Sequence, residues 1–325
     1  MRIVFMGTPD FAVDTFNCLA TSRHEIAAVV TQPDKPKGRS GRTSPPPVKE
    51  AAIKFMESSG RDIKILQPVK AKEQWFIDEL KSIDPDAAIV AAFGQILPPE
   101  VLQIPKYGCI NVHASLLPKL RGAAPIQWAV INGEKESGVT IMQMDEGLDT
   151  GDMLLVKKYA LAPDETGGSL FNRLASFGGP MVLDVLDMAE NGTLKPVKQD
   201  DGSHTYARML KKEMGHIDFN APAEDIERLI RGLDPWPGTF TRIHGKTLKI
   251  CSASVIPEGE AAGNGIDINE EIPAGTVATV NKNDIIIKTG NGYLMVTSLQ
   301  PEGRKRMDAG AFLRGYKIEK GERFE

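Results

Sequence analysis

An asparagine, a histidine and an aspartate are spaced so that their side chains could act together. Asn111 and His113 lie two residues apart in GCINVHASLLPKLRGAAPIQWA, residues 108–129. Asp149 follows in the turn-rich DEGLDTGD, residues 145–152. A carboxamide can donate to an oxyanion, an imidazole can accept or give a proton, and a carboxylate can orient and charge the imidazole. Taken singly, each has a purely structural explanation. A strand-end histidine is often a satisfied core residue, asparagine there is often turn chemistry, and clustered acids are often a solvated turn. Together they describe a site that stabilises charge on a carbonyl oxygen while a proton moves. The acids lack the alternation of a calcium loop, and the five histidines show no paired ligand spacing, so no metal is expected.

Such a trio needs a scaffold, and the first half of the chain supplies alternating strand and helix patterns. Short apolar runs at Arg2–Met6, Ile26–Thr31, Ile63–Leu66, Ala87–Phe93 and Cys109–His113 alternate with helical stretches, one of them amphipathic over Glu73–Ser82. Apolar runs separated by helices predict a Rossmann-like parallel sheet covered on both faces. Val139–Met144 and Met153–Tyr159 flank the acidic turn as a later strand pair, and Ser169–Ala189 reads as a long helix. Asn111 and His113 then leave the same face of one strand, near its carboxyl end, where open parallel sheets bind ligands.

These elements define an α/β domain over residues 1–190 and a polar, aperiodic linker over 191–205. From residue 206 to 325 the character changes. One helix is predicted at Pro222–Leu233, with Asn220 as its N-cap. Short β-rich runs follow at Thr239–Ile243, Thr247–Ala253, Gly275–Val280, Asp284–Lys288 and Tyr293–Leu299. This pattern predicts a small, OB-like β-barrel, with the five-stranded oligonucleotide-binding (OB) type one candidate. Pro257–Ile272, acidic and Gly-rich, reads as a surface loop. Gln32–Val48 carries Lys35, Lys37, Arg39 and Arg42 among five prolines and has no hydrophobic face, so it reads as a mobile basic loop.

Bulk properties narrow the class. With 325 residues, 41% apolar, 25% charged and a net charge of -4, the chain has the balance of a soluble globular protein of two domains and no strong electrostatic signature for nucleic acid. Three dispersed cysteines suggest neither disulfides nor a thiolate metal site and fit a reducing compartment. Neither a signal-peptide core nor an 18-residue apolar run is present, so a cytoplasmic protein with no membrane partner is expected; separately, it is expected to be a monomer.

Several segments resemble the folate-dependent formyltransferase family nearly end to end. HASLLP at 113–118, RGAAPIQ at 121–127 and LDTGD at 148–152 resemble segments shared across that family. FMGTPDFA at 5–12, VVTQPDKPKGR at 29–39, DPWPGTF at 234–240, LQPEGRKRM at 299–307 and FLRGY at 312–316 resemble its tRNA-acting branch. Lys119-Leu120 stands where the family often has Arg-Trp, and Phe93 where it often has Tyr. The resemblance implies transfer of a formyl group from 10-formyltetrahydrofolate to the α-amine of methionyl initiator tRNA, with Asn111, His113 and Asp149 catalytic. It implies that Phe93, Gly94, Ser115, Leu116, Leu117 and Pro118 bind the folate, and that the acceptor tRNA meets basic residues Arg39, Arg42, Arg304, Lys305 and Arg306. An acceptor such as an amino sugar nucleotide is the alternative. A dinucleotide-dependent oxidoreductase is disfavoured because GTPDFA lacks the glycines that admit a pyrophosphate.

Overall fold

A computed structural model describes residues 1–36, 43–267 and 271–325, which group into two compact units. The first comprises Met1–Pro125, Glu136–Ala160 and Phe171–Ala207, and the second Ile126–Lys135, Leu161–Leu170 and Arg208–Glu325. Among the described residues, no helix is long and apolar enough to cross a membrane.

The first unit is built on a seven-stranded sheet. Its strands in chain order are β1 (Arg2–Gly7), β2 (Glu25–Val30), β3 (Lys64–Leu66), β4 (Ala87–Ala91), β5 (Cys109–His113), β6 (Glu136–Gln143) and β7 (Met153–Ala160). The spatial order is β7-β6-β5-β4-β1-β2-β3. The pairings from β3 through β5 are parallel, and β6 and β7 add antiparallel strands beside β5. β4 is buried along its whole length, as expected of a strand covered on both faces. Period-two alternation divides the core. Val4, Met6, Val90 and Cys109 face the helix α3 (Gln74–Ile83) through its Phe76, Ile77 and Leu80. On the other face Phe5 meets Phe16 of α1 (Phe11–Ala20) at 5.7 Å between ring centres. Gly7 permits the tight exit from β1, since a Cβ there would sit 2.7 Å from that of Ala12.

In this unit two stretches depart from the sequence reading, the basic loop and the linker. Pro47–Ser59 forms a helix, α2, starting inside the stretch expected to be a loop, with proline at its first turn and Gly60 in the left-handed region at its end. Within that stretch Lys35-Pro36 pairs with Thr43-Ser44, whereas Arg39 and Arg42 lie outside the described residues. The expected linker is not a free tether. Val197 bridges to Met153, Gln199 is buried, and residues up to Ala207 group with the first unit. The long helix α4 spans Gly167–Glu190, and its Gly178 and Gly179 let it approach Thr15 and Cys18 of α1 closely.

The second unit contains the helix α5 (Ala223–Leu233) and the antiparallel strands β8 (Thr239–Ile243), β9 (Lys246–Ile256), β10 (Val277–Val280), β11 (Ile285–Lys288) and β12 (Tyr293–Pro301), ordered β8-β9-β12-β11-β10. The last residues link the two outer strands. Glu325 exchanges backbone hydrogen bonds with Arg242 of β8, while Val277 of β10 donates to Glu322 and Phe324 donates to Gly275. This ties off both sheet edges and gives a barrel-like closure. Pro222 occupies the cap position of α5, whereas the Asn220 amide turns back to Asp218 at 2.8 Å, so Asn220 is not the cap. The acidic insert is more than a surface loop. Its Ala261 and Ile266 are buried against Ile256, Ala278, Ile286 and Tyr293. Ile285 and Ile287 face the main core, so Ile286 must leave the opposite face of β11, and the insert covers it.

Candidate active site

Asn111 and His113 leave β5 on one face, close to its carboxyl end. Asn111 pairs in register with Val90 and Met142, and His113 with Thr140. The Asn111 side-chain amide is half-buried and makes no hydrogen bond among the described residues, so its donors remain available. The imidazole is almost enclosed, at 6% side-chain exposure. Its Nε2 lies 3.0 Å from the Leu120 carbonyl, to which it donates. Its Nδ1 faces Oδ2 of Asp149 at 3.6 Å, just beyond hydrogen-bonding distance. Both ring nitrogens therefore look at acceptors, and Nδ1 is the one left to act on a third group.

Asp149 sits in the left-handed region, φ 54°, in a turn that its neighbours pin. Asp145 accepts from the Gly147 amide and the Thr150 hydroxyl, at 3.0 and 2.6 Å. The Gly122 amide donates to Asp149 Oδ2 at 2.8 Å. A further brace comes from two residues that the sequence reading did not nominate. Arg121, 6% exposed, donates through Nε and Nη2 to the Gln199 side-chain carbonyl at 3.0 and 2.8 Å. The Gln199 amide in turn donates to the backbone carbonyls of Asp149 and Gly151 at 2.9 and 2.7 Å. Arg121 also pairs with exposed Asp201 at 2.8 Å, and the guanidinium holds that carboxyl below its ordinary range. Arg121 lay in a quoted motif, and a buried arginine demands partners. Gln199 gave no signal, because a polar aperiodic stretch looks the same whether it wanders or packs.

The residues expected to meet a folate divide by orientation. The Phe93 residue is buried in the core, so its side chain faces inward, and the neighbouring Gly94 is exposed. The Phe93 carbonyl already accepts from the Thr8 hydroxyl at 2.9 Å. The Ser115 hydroxyl is buried and donates to the Lys119 carbonyl at 2.7 Å, so it is occupied internally. Leu117 is buried as well, and its amide donates to the Thr140 hydroxyl at 3.2 Å, which itself donates to the Ser115 carbonyl at 2.7 Å. Leu116 and Pro118 are half-buried. Thr140 thus sets the shape of the 115–118 loop from the neighbouring strand. Cys109, two residues before Asn111, is buried, and burial pushes its thiol up to about 12, which removes it as a nucleophile at neutral pH.

In the second unit Arg304, Lys305 and Arg306 are all exposed. Arg306 is tied to its own unit, with Nη1 3.3 Å from Asp234 and Nη2 donating to the Cys251 carbonyl at 3.0 Å. Arg304 and Lys305 have no ion pair among the described residues.

Known proteins share this architecture and this sequence. Fold neighbours include the sugar 3N-formyl transferase WlaRD, solved in the presence of dTDP and 5-N-formyl-THF, with a TM-score of 0.63, 20% identity and coverage of 94% of this chain and 99% of that one. HypX from Aquifex aeolicus in complex with tetrahydrofolic acid superposes with a TM-score of 0.60 at 18% identity, covering 96% of this chain and 47% of that one. Much closer in sequence is the methionyl-tRNA formyltransferase of Lachnospira eligens, 53% identical over 99% of this chain and 98% of that one. That of Citrifermentans bemidjiense is 47% identical over 99% and 95%. The family model described as formyl transferase matches residues 1–186, and the one for the formyl transferase C-terminal domain matches residues 209–317. By sequence in both matched stretches and by fold, the chain belongs to the formyl transferase family.

Proposed function

We propose that the chain transfers a formyl group from 10-formyltetrahydrofolate to the α-amino group of methionyl initiator tRNA. The observation that carries the chemistry is the His113–Asp149 pair at 3.6 Å with the uncommitted Asn111 amide on the same strand face. The acceptor follows from end-to-end identity of about half with methionyl-tRNA formyltransferases. The sugar-acting neighbours share the fold at 20% identity or less, so an amino-sugar acceptor has no observation of its own here.

The bound folate supplies the formyl carbon and a leaving nitrogen. An α-amine has a pKa near 7.7–8.0, so an appreciable fraction is neutral at pH 7 and strong nucleophile activation is unnecessary. What needs stabilising is the negative charge that gathers on the formyl oxygen. Asn111 donates to that oxygen, and removing one such donor costs about 10²–10³ in rate. His113 acts through Nδ1, because Nε2 is committed to the Leu120 carbonyl. As the amine nitrogen bonds to the formyl carbon and the bond to the folate nitrogen breaks, Nδ1 takes the amine proton and returns it to the leaving nitrogen, while Asp149 supports the positive charge on the ring. The exposed backbone at Gly94 and the half-buried Leu116 and Pro118 hold the folate. Arg39, Arg42, Arg304 and Lys305 meet tRNA phosphates, which predicts salt-sensitive binding.

The test is transfer of labelled formyl from 10-formyltetrahydrofolate to methionyl initiator tRNA, with Asn111→Ala run beside the parent. Acid-precipitable label that falls at least a hundredfold in the variant supports donor and acceptor together. Folate turnover onto a small amine, with no label on tRNA, overturns the acceptor assignment.

A further inference from the structure

We infer that Gln199 is a positioning residue for formyl transfer, holding the turn that carries Asp149 at its working distance from His113. The inference rests on the function proposed above. Gln199 lies between the two stretches that the family models match, in a polar segment with no helical or strand periodicity. Yet it is 5% exposed, and its four side-chain hydrogen bonds among the described residues are directed at the site's frame. Its carbonyl takes both Arg121 donors, and its amide clamps the carbonyls of residues 149 and 151, on either side of Thr150.

Geometry makes this more than a buried polar residue finding partners. Three consecutive residues hold the pair from one side: the Leu120 carbonyl accepts from His113 Nε2, and the Gly122 amide donates to Asp149 Oδ2. Arg121, between them, reaches the Asp149 turn through Gln199. Segment 120–122 and turn 149–151 are therefore cross-linked by one side chain, closing a ring of hydrogen bonds around the pair. A non-glycine residue at φ 54° persists only where its surroundings over-determine it, and Gln199 supplies two of those constraints. Release of the turn would let the carboxylate swing off the Gly122 amide. A displacement of about 1 Å at such a group can cost about 10²-fold in rate.

The experiment uses the full chain with Gln199→Met, which keeps the length and removes all four hydrogen bonds. The expected result is kcat lower by about 10²-fold per folded molecule, with KM for the folate and the tRNA within about twofold. Gln199→Met is also combined with Asp149→Asn. If Gln199 acts through the carboxylate, adding it to that background lowers kcat by less than about threefold. The same loss in both backgrounds, or a loss explained by the folded fraction in circular dichroism, overturns the inference. Should Gln199→Met not fold, Gln199→Glu decides by the same comparison, since it keeps an acceptor for Arg121 but faces two carbonyls with a carboxylate. A parent protein that transfers no formyl group sinks the proposed function and this inference together. A parent that transfers and a variant with full kcat sink the inference alone.

Discussion

Replacing Asp149 by asparagine separates charge from structure at the site. Asparagine tolerates the left-handed backbone that Asp149 adopts, and its side-chain carbonyl can still accept from the Gly122 amide, so the turn survives. What is lost is a full negative charge 3.6 Å from His113 Nδ1. At an effective dielectric of about 20, attraction across that distance is about 4–5 kcal/mol. The carboxylate is 14% exposed, and solvent reaching it trims the difference between charged and neutral partners to about half, 2–3 kcal/mol. At about 1.4 kcal/mol per tenfold, the variant should lose about 10²-fold in the chemical step. Because the charge matters only while the ring is positive, KM for both substrates should stay within about twofold. Single-turnover transfer of labelled formyl, with enzyme in excess over methionyl-tRNA, reads that step without product release. A rate within threefold of the parent, in a variant with an unchanged thermal midpoint, would show that the carboxylate charge is not used.

Other consequences lie outside the site. Cys109, buried and with its thiol pushed up to about 12, should remain unlabelled by iodoacetamide at pH 8 in the folded protein, while Cys18 and Cys251 react first in a peptide mass map. Gly179→Val should lower the thermal midpoint by the equivalent of about 1–3 kcal/mol, because a Cβ there falls 2.4 Å from that of Cys18, and an unchanged midpoint would refute the close packing of α4 on α1. His24 is buried beside the N-terminal amine, and burial first, then that charge, hold its pKa below the ordinary value. Its neutral form is the one folding favours, so the stability it contributes is present above about pH 6.5 and is lost as pH falls through the depressed folded value. His24→Gln should flatten that part of the acid limb of a midpoint-against-pH series, and an identical slope in both proteins would refute the assignment.

Much of the scaffold was legible because its signals are local. Alternation of apolar residues marked β5 over Cys109–His113 with the observed boundaries, and placed Asn111 and His113 on one face. The barrel strands were legible from β-rich runs between turn residues. The failures share a cause. Helix α2 begins at a proline within a proline-rich stretch, so its start looks like more loop. The acidic insert carries few apolar residues, and nothing local says that Ala261 and Ile266 will be needed over Ile286. Apart from these, motifs nominated Phe93, Ser115 and Leu117 as part of a site, and only the packing shows that their side chains turn inward.

The sequence by itself determined the family, the strand that bears the donor and the imidazole, and the residue types from which a site could be built. Periodicity over a few residues and short motifs carry that information whatever the rest of the chain does. Only the tertiary structure decided which imidazole nitrogen is free, how far the carboxylate stands from it, and what holds both. Those depend on the Leu120 carbonyl, the Gly122 amide, Arg121 and Gln199 converging from segments as much as 86 residues apart on the chain, His113 to Gln199. Convergence over that separation is set by strand register and turn geometry, which only the packed core imposes.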